Sequence, residues 1–408
     1  MEILPIFSAI RRNPVGALLI ALQIAVTMAV MCNASFVVAQ QLQRMNRPTG
    51  IDEANILTFY NVWSTQSGDF KSRVQTDLAT LRSLPGVDDA TATLGLPLRG
   101  GGYNLSVALT PTDTKGITDS AVYPVDSHGM AAFGLQLRAG RGFTSDEIAD
   151  LTAEHEDPTL APVVLVTHAL ADRLFPHGDA LGKPIYLGTK PSTIIGIVDR
   201  MQAAHVSMAS DLMEYSILVP FQWEGSTTLY VVRTKPGQYK SVAAAIPPAL
   251  ARISRARVIG NINPFVQTRA DAYRPFRAMV LILSSVCTLL LIITCLGIVG
   301  LTTYWVSQRS RQIGIRRALG ARQVDILRYF HTENFLVVGA GAIAGIILGD
   351  ATNVLAVEHF AMARMPQVYI LASALIMLVL GQLSVLWPSF RAAKVPPALA
   401  TRAQVEHR

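Results

Sequence analysis

The chain has 408 residues, of which 50% are hydrophobic and 15% are charged, and its formal net charge is +7. Soluble domains average about 25% charged residues, and the long uncharged runs of this chain exclude an ordinary soluble globular protein. A basic balance can indicate nucleic-acid binding, but no basic stripe interleaved with aromatic residues accompanies it. We therefore expect a membrane protein with no nucleic-acid partner.

The first predicted span lies near the N-terminus. No charged residue occurs between Asn13 and Gln43, and about 20 mostly apolar residues suffice to cross a bilayer. We predict a cytoplasmic N-terminal segment over 1–13 and transmembrane helix 1 over 14–38. A cleaved signal peptide is the alternative, but its apolar region covers only about 7 to 15 residues, and this run is longer.

A long region of mixed texture follows, which we assign to 39–277. A strand is predicted at 55–62 and an amphipathic helix at 69–84, where Pro85 and Gly86 end the helix. The alternation of helices and strands predicts a mixed α/β domain. Further strands are predicted at 105–109, 122–125, 163–166, 185–187, 193–198, 217–219 and 229–234, and further helices at 168–175 and 239–253.

Candidate chemistry in this region is weak. Gly178, Gly182 and Lys183 resemble a phosphate-binding loop. The spacing, however, is one residue short, and Pro184 replaces the required Ser or Thr. The acidic stretch 146–157 is interpreted as a solvated loop rather than a metal site, and the histidines are dispersed without metal-ligand spacing. We predict no catalytic residue, no metal site and no cofactor in this chain.

Three further apolar segments occupy the last third of the chain. They predict three more transmembrane helices, so one span precedes the α/β domain and three follow it. All three cysteines fall within predicted spans, so we expect no disulfide in the domain. The predicted order is helix 2 at 278–306, a loop at 307–333, helix 3 at 334–357, a hairpin at 358–364, helix 4 at 365–390 and a tail at 391–408.

Orientation follows from the charges that flank the spans, since Lys and Arg are enriched on the cytoplasmic side. The segment before helix 1 carries +1, the loop between helices 2 and 3 carries +4, and the tail carries +3. Asp350 near the end of helix 3, together with Glu358 and Arg364 of the hairpin, carries −1, and the large domain is neutral. Both termini and the basic loop are therefore predicted inside the cell, and the α/β domain outside.

Helix 3 carries two features of interest. Asp350 is an ionisable residue within a span, for which a proton relay is the functional alternative to a place near the outer interface. Its distance from the cytoplasmic end of the helix favours the interface. Gly341, Gly345 and Gly349 recur every four residues, which lets another helix approach closely. That helix could belong to the same bundle or to a second subunit.

The basic loop is the most specific part of the sequence and reads SQRSRQIGIRRALGARQVDILRYFHTENF. Its first half predicts a short helix with apolar and cationic faces, which stops at Gly320, a residue type favoured just past a helix C-terminus. A second helix, with Val324, Leu327 and Phe330 apolar, leads into helix 3. Anchoring of Arg side chains at the membrane surface explains the charge but not the apolar residues between.

The loop resembles that of the MacB/FtsX-like permeases of ABC transporters, which reads close to R-x-I-G-I-R-R-A-L-G-A. The residues that fit this pattern are Arg311, Ile313, Gly314, Ile315, Arg316, Arg317, Ala318, Leu319, Gly320 and Ala321. Other segments resemble blocks of the same family, namely 133–147 (FGLQLRAGRGFTSDE), 170–188 (LADRLFPHGDALGKPIYLG) and the tail from 388 to 402. The resemblance extends over nearly the whole chain.

The resemblance implies a permease with the 1 + 3 arrangement of spans, working as a dimer with an ABC ATPase. The region 39–277 would be a MacB-like periplasmic core domain with a porter-like and a companion subdomain. Because no Walker motif is present, a separate ATPase subunit would bind ATP and Mg²⁺. The expected coupling contact comprises Ile313, Gly314, Ile315, Arg316, Arg317, Ala318, Leu319 and Gly320, and the expected helix-packing contact comprises Gly341, Gly345 and Gly349.

The resemblance implies two possible functions. The first is a permease subunit in which ATP hydrolysis moves the periplasmic domain and drives export or extraction of an extracytoplasmic antibiotic, peptide or lipoprotein. The alternative is an FtsX-like transmembrane regulator of a cell-wall hydrolase, which the large domain disfavours. Either function places the chain among the lipids of the bacterial inner membrane, with a second or paralogous permease as partner. The exporter could also use a periplasmic adaptor and an outer-membrane channel.

Overall fold

The structure is a computed structural model of the chain. It describes residues 14–64, 68–113, 115–152, 157–204, 212–318, 320, 322–360 and 363–393. Among these residues, four helices are long and apolar enough to span a membrane, namely Val15–Met45, Arg274–Gln308, Gln323–His359 and Gln367–Arg391. One precedes and three follow a large α/β region, so the predicted fold class is confirmed.

We number the elements in chain order. The helices are α1 (Pro14–Met45), α2 (Phe70–Ser83), α3 (Gly129–Phe133), α4 (His168–Leu174), α5 (Tyr239–Ile253), α6 (Phe265–Ala272), α7 (Arg274–Gln308), α8 (Ser310–Ala318), α9 (Gln323–Phe360) and α10 (Gln367–Ala393). The strands are β1 (Ile56–Trp63), β2 (Val87–Thr93), β3 (Gly95–Leu96), β4 (Gly100–Gly101), β5 (Tyr103–Val107), β6 (Thr118–Pro124), β7 (Leu137–Gly140), β8 (Ala149–Thr152), β9 (Val163–Thr167), β10 (Pro184–Tyr186), β11 (Pro191–Val198), β12 (Ser216–Val219), β13 (Phe221–Glu224), β14 (Thr227–Thr234), β15 (Arg257–Ile259) and β16 (Asn263–Pro264).

The chain divides into two compact units. The helical unit comprises Met1–Met45 and Phe276–Arg408, and the inserted domain comprises Asn46–Pro275. Long α-helices suit the first unit, because a helix satisfies its own backbone hydrogen bonds and can therefore lie in lipid. The alternating strands and helices of the second unit give it, among the described residues, two large sheets with separate hydrophobic cores and two two-stranded sheets.

In the helical unit, α1 packs against both α9 and α10. Ile24, Met28 and Val338 are fully buried in the shared apolar core. Polar contacts join the same helices, since Asn33 Nδ2 donates a hydrogen bond to the Gly349 carbonyl oxygen (3.0 Å). Buried apolar packing and an interhelical hydrogen bond therefore hold α1 and α9 together.

Helix α7 is packed differently from the other long helices. Its buried residues are Thr294, Ile298, Thr302 and Trp305, all in its second half. Large apolar side chains of the first half stay exposed, including Leu281 at 68%. One hydrogen bond joins it to α1, between the hydroxyl oxygens of Thr27 and Thr294 (2.9 Å). Most of the apolar surface of α7 is therefore available to lipid or to another helix.

The first sheet of the inserted domain has the strand order β15-β1-β14-β2, with β16 also paired to β1. Strand β1 is antiparallel to β14, in a register that places Phe59 opposite Tyr230. Their rings lie 5.3 Å apart, and both side chains are fully buried. The apolar faces of α2 and α5 cover this side of the sheet with Val74, Val242 and their neighbours. The result is one sheet with two helices packed on it.

The second sheet is mixed and has the order β10-β11-β9-β12-β6-β5, with β7 also paired to β11. Strand β9 is parallel to β11 and antiparallel to β12. Because β9 lies in the centre, its side chains Val164 and Val166 are fully buried. Helix α4 adds Leu170 and Leu174 to the same core. This core is distinct from that of the first sheet.

The predicted loop at 146–157 was wrong for Ala149–Thr152, which forms β8. This strand pairs in parallel with β13, with Asp150 opposite Gln222. Acidic residues are depleted from strands, which is why the sequence pattern indicated a loop. Strand β13 was also absent from the sequence prediction, and its residues are all buried. By contrast, the predicted helix 239–253 has the same bounds in the structure.

Candidate functional site

Helix α8 follows α7 almost without a break. The backbone N–H of Arg309 donates to the Trp305 carbonyl (3.1 Å), and the N–H of Ile313 donates to the Arg309 carbonyl (2.9 Å). These four-residue steps are those of an α-helix, so the hydrogen-bond pattern continues through the junction. These two bonds join the start of α8 to the end of α7.

An ion pair ties this junction to α9. Arg309 Nη1 donates to both carboxylate oxygens of Glu333, at 3.0 and 2.9 Å, and to the Tyr329 hydroxyl at 3.1 Å. Glu333 is only 1% exposed. Removing one partner of a buried pair leaves an uncompensated charge, which costs about 3–5 kcal/mol. Loss of either Arg309 or Glu333 alone is therefore expected to destabilise this junction.

A groove of about 140 Å³ lies between α8 and the start of α9. Ile313 is 6% exposed and packs against Ile326 and Phe330 on the opposite wall. The apolar contact and the ion pair act on the same side of α8, so that side faces the rest of the unit. The groove is lined by Arg309, Gln312, Ile313, Asp325, Ile326, Tyr329 and Phe330.

The other side of α8 points away from this packing. Ile315 is 49% exposed, whereas Gly314 is buried with Ile313. Arg316 and Arg317 lie in the last turn of α8. Ala318 is exposed as well. Of the predicted coupling residues whose side chains the structure describes within α8, Ile313 and Gly314 are therefore packed, and Ile315 and Ala318 are exposed, as expected of a short amphipathic helix.

The chain turns sharply after α8. Gly320 has φ +97°, in the left-handed region that favours glycine, and it is exposed. Leu319, which was also predicted to contact the ATPase, lies outside the described residues, as does Ala321. The turn supports the expectation that the short helix stops at Gly320.

Helix α9 begins with a reciprocal pair of hydrogen bonds. The Asp325 carboxylate accepts from the backbone N–H of Arg322 (3.1 Å), and the Asp325 N–H donates to the Arg322 carbonyl (3.1 Å). A carboxylate in the first turn also interacts favourably with the helix dipole. These bonds fix where α9 starts, and therefore fix the width of the groove beside α8.

The sequence prediction did not assign a role to Arg309, Tyr329 or Glu333. Arg309 and Glu333 entered the analysis only as charges that set the orientation. A signal was available, because Tyr329 and Glu333 are four residues apart and share one helical face. A carboxylate directly before an apolar span also needs a partner, since burial of an unpaired charge is costly.

The glycine stripe of α9 packs on α1. A Cβ atom at Gly341 would lie 2.8 Å from the Ala21 carbonyl oxygen, and one at Gly345 would lie 2.8 Å from Met28 Cβ. At Gly349 the nearest atom would be Cys32 Sγ, at 2.6 Å. All three positions are too close for a side chain. Of the two possible partners for this stripe, the structure shows a helix of the same chain.

The segment 133–147 forms a compact turn in the inserted domain. A Cβ atom at Gly140 would lie 2.2 Å from the Ile195 carbonyl oxygen, so only glycine fits there. Arg141 forms a two-point ion pair with Glu147, at 2.7 and 2.6 Å. This pairing, together with hydrogen bonds from Thr144 and against the opposing effect of burial, lowers the pKa of Glu147 to about 2. The block that carries the resemblance therefore has a structural role.

A carboxylate cluster lies beside β13. Glu224 is 6% exposed, its Oε1 atom has no hydrogen-bond partner among the described residues, and Asp150 is its neighbour. Burial, and next the charge of Asp150, raise the pKa of Glu224 to about 7. Lys71 pairs with Asp150 on the solvent side. Among the described parts of the chain, no group of three or more His, Cys, Asp or Glu residues could bind a metal ion.

Comparison with known protein families identifies the family to which this chain belongs. A family model described as the MacB-like periplasmic core domain matches residues 18–249, which is more than half of the chain. A second, described as the FtsX-like permease C-terminal domain, matches residues 284–397. The chain belongs to the MacB/FtsX-like family of ABC transporter permeases. The predicted family is thus confirmed, and α8 lies within the FtsX-like part.

Individual relatives of this permease cover different shares of it. The macrolide export ATP-binding/permease protein MacB of Neisseria gonorrhoeae is 28% identical over 250 residues, which are 59% of this chain and 36% of the relative. An uncharacterized ABC transporter permease, YvrN of Bacillus subtilis, is 25% identical over 314 residues, 74% of each chain. The permease therefore spans about a third of the length of the MacB relative.

Solved structures show similarity to part of the chain. The extracellular domain of the ABC-type transporter YknZ from Gram-positive bacteria matches 50% of this chain and 100% of its own, with 17% identity and a TM-score of 0.32. The periplasmic region of MacB from Actinobacillus actinomycetemcomitans matches 54% of this chain and 94% of its own, with 15% identity and a TM-score of 0.31.

Proposed function

We propose that the chain is a non-catalytic permease subunit that couples ATP hydrolysis by a separate ATPase to movement of the inserted domain. The family membership supports an ATPase partner and a dimer. The 408 residues contain no Walker motif, so ATP and Mg²⁺ are assigned to the partner. The observation that carries the proposal is the continuous junction of α7 and α8, cross-linked to α9 by Arg309 and Glu333.

The basic loop faces the cytoplasm in this proposal. The excess of Arg in the loop and in the tail supports that orientation, and the inserted domain then lies in the periplasm of a bacterium. A partner can shift a conformational equilibrium only by binding one state better than the other. Closure of the ATPase on its nucleotide would move α8, and α7 would carry the displacement across the membrane.

The outward side of α8 is the proposed contact with the ATPase. Ile315 is exposed and apolar, so it can fill a groove on the partner. Arg316 and Arg317 can pair with carboxylates there. The packed side, with Ile313 and Gly314, positions the helix instead of touching the partner. Leu319 and Gly320 complete the proposed contact at the turn.

The bare surface of α7 is the proposed contact between two permease copies. Its exposed apolar residues include Leu281 (68%) and Leu296 (65%). In lipid, association of helices depends on close packing, and Gly300 on α7 has no described atom within 4 Å of a Cβ built there. A second copy of this chain or a paralogous permease would cover this surface.

The proposed cargo is an extracytoplasmic antibiotic, peptide or lipoprotein, which the movement of the inserted domain exports or extracts. The MacB relative is named for macrolide export and contains an ATP-binding part, which supports an exporter. A periplasmic adaptor and an outer-membrane channel complete that proposal. Co-purification of a cell-wall hydrolase, in place of a channel protein, would favour the regulator.

The coupling contact can be tested with charge reversal. In the complex with the ATPase that co-purifies with the full-length chain, Arg316→Glu combined with Arg317→Glu is expected to weaken ATPase binding at least tenfold. The reason is that like-charge contacts across an interface cost several kcal/mol. Stimulation of ATP hydrolysis should fall in parallel.

The matched control is Arg391→Glu, a reversal at the exposed cytoplasmic end of α10. This variant should bind and stimulate the ATPase like the parent chain. Normal binding and stimulation by the double variant would remove the assignment of α8. Labelling of a single thiol introduced at Ile315, in a chain without Cys32, Cys287 and Cys295, should occur only from the cytoplasm.

A further inference from the structure

A second groove opens between α9 and α10, on a different part of the helical unit from α8. It has a volume of about 520 Å³. Two hydrogen bonds join the helices beside the groove. The Gln382 Oε1 atom pairs with Nδ1 of His331 (2.8 Å), and Asn334 Nδ2 donates to the Gly381 carbonyl (2.9 Å). The groove is lined by Arg328, His331, Thr332, Phe335 and Gln382.

The polar part of the groove contains hydrogen-bond donors that have no acceptor among the described residues. Arg328 is exposed and forms no ion pair or hydrogen bond through its guanidinium within the described part of the chain. The Gln382 Nε2 atom is buried and likewise has no hydrogen-bond partner there. A buried donor without a partner costs about 1–3 kcal/mol, so a ligand that accepts hydrogen bonds would be stabilised here. No carboxylate lines the groove.

The apolar part of the groove lies further along α9. Phe335 is 52% exposed and lies at the start of the uncharged stretch of α9. The groove therefore changes from cationic at Arg328 to apolar at Phe335 along α9, as a lipid changes from headgroup to acyl chain.

We propose that this groove binds the headgroup of an anionic phospholipid of the cytoplasmic leaflet. The phosphodiester accepts hydrogen bonds from the Arg328 guanidinium and from the Gln382 amide, and an acyl chain lies along Phe335. A guanidinium suits this role because its planar fork of donors matches a phosphate. The cytoplasmic leaflet is the anionic one, and basic pockets between helices on this side select anionic lipids.

The proposal rests on the orientation given under the proposed function, but it needs no ATPase. Binding can be measured on the full-length chain in neutral detergent by native mass spectrometry, with phosphatidylglycerol titrated in and phosphatidylcholine as the neutral comparison. We expect one phosphatidylglycerol per chain to bind at least fivefold more tightly than phosphatidylcholine. Normal ATPase binding and stimulation by the Arg316→Glu, Arg317→Glu variant, with lipid binding intact, would overturn the coupling assignment alone.

Variants of the exposed arginine locate the site. Arg328→Ala should weaken phosphatidylglycerol binding about fivefold, because one basic residue near an anionic surface contributes about that factor. Arg328→Glu should weaken it further. Arg391→Ala removes an equal charge from the C-terminal end of α10, outside the groove, and should leave the affinity unchanged. Both arginines are exposed, so thermal unfolding in detergent is expected to stay at the parent temperature.

Three results would overturn the proposal. Equal affinity for phosphatidylglycerol and phosphatidylcholine would reduce the groove to an ordinary lipid contact. An equal loss with Arg328→Ala and Arg391→Ala would show a diffuse charge effect without a site. Displacement of the lipid by an equal concentration of inorganic phosphate would assign the groove to free phosphate.

Discussion

The inserted domain and the helical unit differ in how far they bury their large apolar side chains. The inserted domain buries its largest aromatic side chains completely, among them Tyr123 and Tyr230, and even buries an ion pair between Asp77 and Arg257. The helical unit leaves large apolar side chains exposed along α7, such as Leu281. The domain is thus internally complete, whereas the helices need lipid and partners to cover them.

The buried ion pair gives the strongest test of this difference. The Arg257 guanidinium donates to Asp77 Oδ2 (2.7 Å), the Tyr230 hydroxyl donates to the same oxygen (2.8 Å), and Arg257 lies 3.9 Å from the Trp63 ring. Asp77→Ala should lower the free energy of unfolding by about 3–5 kcal/mol, because it leaves Arg257 buried and unpaired. Urea unfolding of the full-length chain in detergent, followed by Trp fluorescence, measures this loss.

The control for that experiment is an exposed pair in the same domain. Arg138 and Asp199 are 54% and 60% exposed at their side chains, with 3.4 Å between them. Asp199→Ala should change the unfolding free energy by no more than about 0.5 kcal/mol, since exposed pairs contribute little. If the two variants had equal effects, the view of the domain as internally complete would be wrong.

Helix packing gives the next largest expected effect. Gly345→Ala places a methyl group 2.8 Å from Met28 Cβ and 3.0 Å from the Ala25 carbonyl oxygen, so α1 and α9 must separate. Overpacking of this kind costs about 1–3 kcal/mol. Thermal stability of the full-length chain in detergent reports the change. Gly339→Ala is the control, because its added Cβ meets no described atom within 4 Å, and it should be neutral.

The smallest effect concerns pH. The pKa of Glu224 in the folded chain, about 7, lies above the value of 4.5 expected when unfolded. The folded state therefore binds more protons between these values, and the stability from Glu224 is full below about pH 4.5 and is lost as pH rises through 7. The loss is expected at no more than about 1.4 kcal/mol per pH unit, the value for one proton.

Two variants separate this effect from general pH dependence. Glu224→Gln should flatten the stability profile between pH 5 and 8, measured by urea unfolding at several pH values. Glu147→Gln should leave the profile unchanged in that range, since the pKa of Glu147 is about 2 and the residue stays charged. A profile that keeps its slope in Glu224→Gln would assign the pH dependence to another group.

The sequence predicted the helices of this chain better than its polar contacts. The four apolar runs and helix α5 have local signals, since hydrophobicity and a 3.6-residue period are visible within one segment. The same holds for the stop at Gly320 and for the close packing at Gly345. At both positions the glycine itself indicates the local geometry, which is a turn at Gly320 and a close helix contact at Gly345.

The predictions that failed or were missing depend on residues far apart in the chain. Strand β8 reads as an acidic loop because its partner β13 lies about 70 residues later. Arg309 and Glu333 are separated by the whole of α8, so charge counting placed them on one side of the membrane without pairing them. The packed face of α8 is likewise determined by Ile326 and Phe330, which lie on α9. Tertiary contacts of this kind have no local sequence pattern.

The length of helix α7 has a geometric consequence. Its 35 residues, at about 1.5 Å each, make a rod of about 52 Å, longer than the roughly 30 Å hydrocarbon layer. In a bilayer of that thickness, an upright helix of this length would extend about 22 Å beyond the hydrocarbon, which is about 15 residues. A tilt of the helix would shorten that extension.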